Sequence, residues 1–81
     1  MSKWEKLLKR LLDMRGDFRF SELQKILEHY GYTARRIGGS HVTFAKKNRS
    51  SFTVPTHGTG IVKKVYVEKI RDIVLKEEGD L

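Results

Sequence analysis

Apolar positions in the first third of the chain recur with a helical period. Trp4, Leu7, Leu8, Leu11 and Leu12 fall at i, i+3, i+4, i+7 and i+8, one continuous stripe. Ser2 and Glu5 have capping-box spacing, in which each side chain serves the other's orphan backbone N–H. Arg15-Gly16-Asp17 breaks the stripe. A second helix is predicted to carry Leu23, Ile26, Leu27 and Tyr30 on one face, with Ser21 and Gln24 as its capping box and Gly31 as its stop.

The period then changes to two. Tyr32 to Ile37 reads as a first strand, Gly38-Gly39 as a two-residue hairpin turn, and Ser40 to Ala45 as a second strand. Alternation in that strand puts Val42 and Phe44 on the core face and His41 and Thr43 on the solvent face. Phe52 and Val54 mark the inward face of a third strand that Pro55 ends. His57-Gly58-Thr59-Gly60 reads as a flexible connector. A last helix begins at Val62 or Val65 and runs to Glu78, with Gly79 ending it. Val62, Tyr66, Ile70, Ile73 and Val74 form its buried stripe, and Val67 lies on the flank. The expected class is α+β in the order α-α-β-β-β-α, a three-stranded antiparallel sheet packed on helices. Without the first helix, this order is that of the double-stranded-RNA-binding fold.

Length confines all of this to one domain over residues 1–81. With no cysteine there is neither a disulfide framework nor a thiolate metal site. Lys3, Glu5, Lys6, Lys9 and Arg10 interrupt the leucine-rich start, which therefore does not resemble a signal peptide or a membrane span, and the cytoplasm is the expected compartment. Charge sharpens the picture. The net charge is +7, yet no acid occurs between Glu28 and Glu68. That interval holds Arg35, Arg36, Lys46, Lys47, Arg49, Lys63 and Lys64, and elsewhere cations and acids balance. A basic surface of this kind is suited to a polyanion. Lys63 and Lys64 sit at the start of the last helix, where the helix dipole disfavours cations. Their position there reads either as a phosphate site or as a solvated helix start.

The ordered motifs Gly39-Ser40-His41-Val42-Thr43-Phe44, Lys46 to Arg49, and Val54-Pro55-Thr56-His57-Gly58 resemble the HicA family of toxins. The resemblance covers residues 20–79 and leaves residues 1–19 as an additional N-terminal helix. It implies an mRNA-cleaving ribonuclease of a type II toxin–antitoxin pair, with a HicB-like antitoxin as partner, no cofactor and no metal. It also implies that the catalytic residue is His41, supported by Gly39, Ser40 and His57. One departure is that Val42-Thr43 follows His41 where many members carry a second histidine.

The chemistry agrees with that implication. RNA supplies its own nucleophile, the 2′-hydroxyl. An imidazole of ordinary pKa, about 6.5, is mostly neutral at pH 7 and suits a general base. Lysines and arginines can stabilise charge on the phosphorus, and Gly38 and Gly39 would admit the RNA backbone. Two-metal cleavage needs carboxylates, which the acid-free interval does not offer. The basic residues named above form the expected RNA-binding set. For His57, positioning the connector, touching phosphate and acting as acid all remain open; His29 lies in a helix outside both motifs. Two other functions fit the same residues: a non-catalytic double-stranded-RNA-binding module, and a protein whose basic face meets an acidic partner.

Overall fold

Ser2 opens the first helix as its spacing requires. In the computed structural model, which describes residues 2–36, 39–56 and 60–79, α1 spans Lys3–Leu12. The Glu5 N–H donates to Ser2 Oγ at 3.1 Å, and the Ser2 N–H donates to the Glu5 carboxylate at 3.3 Å. Leu11 lies fully buried, while Trp4, Leu7, Leu8 and Leu12 pack against the core edge.

The second helix, α2 (Phe20–His29), begins earlier than the Ser21 capping box predicts. Arg19 is its N-cap, and the Glu22 carboxylate accepts from the Arg19 N–H at 2.9 Å. The cause is a short non-local pairing. Val62 N–H donates to the Phe18 carbonyl and Phe20 N–H to the Gly60 carbonyl, both at 2.9 Å, with Arg19 bridged to Ile61. This pairing keeps the chain extended through Arg19, so the helix starts at the next residue and Ser21 falls inside its first turn. At the other end, Gly31 takes φ +94°. Its N–H reaches the Glu28 carbonyl and the Tyr32 N–H reaches that of Leu27, both at 3.0 Å. This is a Schellman closure, which favours glycine because it needs the left-handed region.

Three antiparallel strands follow in the order β1-β2-β3: β1 Thr33–Arg36, β2 His41–Ala45 and β3 Phe52–Pro55. Their register aligns Ala34, Phe44 and Phe52, and two residues along Arg36, Val42 and Val54. The strands are shorter than predicted. Tyr32 precedes β1 with its ring packed edge-on to Phe52, and Ser40 precedes β2. The expected turn at Gly38-Gly39 lies partly outside the described residues, as do Ile37 and the connector residues His57, Gly58 and Thr59.

The last helix, α3 (Lys64–Gly79), corrects the predicted stripe. Val67, Ile70 and Val74 are its fully buried residues, and Tyr66 and Ile73 flank them. The prediction took its helical phase from Val62. That residue is buried, but it belongs to the extended segment bonded to Phe18, so its burial carries no helical phase. The core joins these helical residues to Leu11, Phe18, Leu23, Ile26, Leu27, Phe44 and Val54. Phe44 sits between Phe20 and Phe52, with ring centroids 5.7 and 5.6 Å away. Among the described residues, no helix is long and apolar enough to cross a membrane.

Candidate nucleic-acid interface

With Val42 and Phe44 committed to the core, pleating turns His41 and Thr43 to the opposite face of the sheet. His41 is exposed at the first position of β2, paired across the ladder with Pro55. Two residues along, Thr43 stands between Arg35 on β1 and Thr53 on β3. The two threonine hydroxyls share a hydrogen bond of 2.9 Å. Arg35 is thus diagonal to His41, a position about 7–8 Å away in a regular sheet and within reach of a long side chain. None of the three strands contains an acidic residue.

The backbone leading into His41 is held from two sides. Thr56 donates to the Ser40 carbonyl through its N–H at 2.5 Å and its hydroxyl at 3.1 Å. Arg36 donates to the Gly39 carbonyl at 3.0 Å. Gly39, Ser40 and His41, singled out from the motif, are therefore fixed relative to β1 and to the end of β3. His57, which follows Thr56 in sequence, lies outside the described residues.

The seven cations of the acid-free interval do not form one surface. Lys46 Nζ and Arg49 Nε meet the two carboxylate oxygens of Glu77, at 2.9 and 3.0 Å. Glu77 comes from the far end of α3, and its side chain is only 11% exposed. Hydrogen bonding from Lys46, and then from Arg49, holds its carboxyl below the ordinary range against the opposing effect of burial. Lys64 Nζ donates to the Gly16 carbonyl, which ties the start of α3 to the loop after α1. The Lys63 carbonyl receives the first N–H groups of α3, from Tyr66 and Val67, while its side chain is exposed. Among the described residues, Arg35, Lys47 and Lys63 remain without a hydrogen-bond or ion-pair partner for their side chains.

A residue outside the motifs shares the behaviour of Glu77. Burial pushes the Glu22 carboxyl up, but the Arg19 N–H and the Arg10 guanidinium outweigh it, and the net shift is downward. Both carboxylates have folded pKa values below the ordinary 4.5, so both favour the folded state at neutral pH. On acidification the unfolded chain takes up these protons first. Stability from both groups is therefore complete above about 4.5 and declines as the pH falls through their folded values. Melting temperatures measured from pH 7 to pH 3 should be level and then drop below about pH 4.5, and the drop should be shallower in Glu77→Gln. An equal acid slope in that variant would remove Glu77 from the account.

The sequence model of the HicA toxin family, toxins of bacterial toxin–antitoxin systems, matches residues 20–79. The chain belongs to this family. The HicA match opens on the first residue of α2 and closes on the last of α3, so it takes in α2, the whole sheet and α3. The motif bearing His41 lies inside it, and α1 lies before it. Neither the curated proteins nor the solved structures gave a match. What the motifs did not reveal about the HicA region is the carboxylate of Glu77 among its cations. Its only sequence signal is an acid one helix away, with nothing to say where that helix docks.

Proposed function

We propose that this HicA toxin is an endoribonuclease that cuts mRNA without a metal, using His41 as the general base. The observation that carries the reading is an exposed imidazole on the open sheet face. It follows a braced Gly39-Ser40 segment and lies diagonal to Arg35, with no carboxylate on the strands. The His41 imidazole takes the proton of an RNA 2′-hydroxyl, and the oxygen attacks the adjacent phosphorus. The bond from phosphorus to the 5′-oxygen breaks, and that oxygen takes a proton from an acid, either His57 or water. Arg35, diagonal to His41, offsets the charge on the phosphoryl oxygens, while Lys47 and Lys63 hold phosphates elsewhere along the RNA. Lys46 and Arg49 join them only where a phosphate competes with Glu77. A HicB-type antitoxin would act by keeping RNA from this face.

The ends of the products test the mechanism. Transesterification leaves a 2′,3′-cyclic phosphate and a 5′-hydroxyl, and it proceeds in the presence of a chelator. Purified protein incubated with a labelled RNA and EDTA should give those ends by mass spectrometry. Fragments bearing 5′-phosphate and 3′-hydroxyl would rule the mechanism out. RNA bound at its full length would return the protein to the class of binding modules.

A further inference from the structure

The first helix lies before the HicA match and carries none of the chemistry above, yet it builds a feature of its own. α1 and α2 are joined by side chains at two points. The Trp4 ring stacks on His29 with centroids 4.0 Å apart, and Arg10 pairs with Glu22 at 2.8 Å. Between these points runs an open groove of ≈ 1010 Å³ whose lining is mostly apolar, with Trp4 and Leu7 at its floor. Lys3, Leu7 and Arg10 of α1 and Glu22, Lys25 and His29 of α2 line it. Both rows repeat at i, i+3 or i+4, and i+7, so each helix turns one continuous face to the groove, the shape into which an amphipathic helix can be laid. Seven residues of helix span about 10 Å, or roughly two turns of an incoming helix.

Charge narrows the occupant. Arg10 is neutralised by Glu22. Lys3, Lys6 and Lys25 are exposed along the groove and form no ion pair among the described residues. The other acid of the groove, Glu28, accepts a hydrogen bond from Gln24 and keeps its charge, so the lining carries four cations against two acids. Unpaired cations around an apolar floor complement an acidic amphipathic segment. RNA is disfavoured because one face of the Trp4 ring is covered by His29 and the floor continues as an aliphatic side chain. We propose that the α1–α2 groove docks an acidic amphipathic helix of the antitoxin. Trp4 and Leu7 receive its apolar face, and Lys3, Lys6 and Lys25 its carboxylates. This contact is separate from the sheet face and independent of whether His41 cleaves RNA.

Trp4 is the single tryptophan of the chain, so its fluorescence reports on the groove directly. The probe is the antitoxin that neutralises this toxin in its host, with its own tryptophans replaced by phenylalanine. On titration, Trp4 emission should move to shorter wavelength and become shielded from a soluble quencher. The triple variant Lys3→Glu, Lys6→Glu, Lys25→Glu changes exposed side chains only. It should keep the wild-type melting temperature and any RNA cleavage of the free toxin, while its Kd for antitoxin rises by roughly 10–100-fold at low salt. Antitoxin binding with an unchanged Kd in the variant and unchanged Trp4 emission would overturn the proposal. So would an emission shift produced by RNA and not by antitoxin, or no antitoxin binding at all. Because binding and fluorescence need no catalysis, a failure of the ribonuclease reading would leave these readouts intact.

Discussion

His41→Ala should abolish growth arrest and slow mRNA cleavage by about 10²–10⁴-fold, the usual contribution of a positioned general base. The substitution removes an exposed side chain from the open face of the sheet, so the fold should be nearly untouched. Surface changes of this kind generally stay within about 0.5 kcal/mol. The two effects must be measured together: transcript integrity after induction, and thermal melting of the purified protein. Lost cleavage with an unchanged melting temperature identifies a chemical role. Lost cleavage together with lost stability would not. Full cleavage by the variant would take the base away from His41 and make His57 the next residue to replace.

Phe44→Ala should be the most damaging change to the fold. Phe44 is fully buried in the central strand, between the rings of Phe20 and Phe52. Removing a buried phenylalanine costs about 3–5 kcal/mol. A domain of this length has only about 4–12 kcal/mol in total, at 0.05–0.15 kcal/mol per residue. At roughly 4–8 °C per kcal/mol, the melting temperature should fall by at least about 12 °C. The same strand carries His41, so the variant should also lose toxicity as the folded population declines. Urea denaturation followed by circular dichroism gives the free-energy change directly. A loss under about 1 kcal/mol would mean that the core does not close around this ring.

Much of this arrangement was legible because the relevant signals are local. Alternation from His41 to Phe44 is enough to turn the imidazole outward, since pleating leaves no other choice once two neighbours are buried. Gly31 ends α2 because the closure requires a left-handed residue. The failures share one physical cause, which is that contacts between distant segments leave no periodic trace. Phe18 follows the Arg15-Gly16-Asp17 break and belongs to no periodic element, yet it is fully buried, and residues 18–20 pair with residues 60–62. The same pairing moved the start of α2 and shifted the buried stripe of α3. Charge counted along the chain placed the whole excess between Glu28 and Glu68. In the fold, Glu77 enters that interval from a distant helix end and pairs with two of its cations. Lys3, Lys6 and Lys25, balanced on paper by acids elsewhere, stand without an ion pair among the described residues along the α1–α2 groove.

Leu11 and Phe18 both precede the first residue of the HicA match, and both are fully buried. The stretch of sequence recognisable as inherited is therefore shorter than the stretch that folds. A chain cut at the family boundary would keep His41 and its strands, but it would lose two side chains from the middle of its core and bare the apolar surfaces they cover. For this toxin, recognisable ancestry and physical integrity begin at different residues.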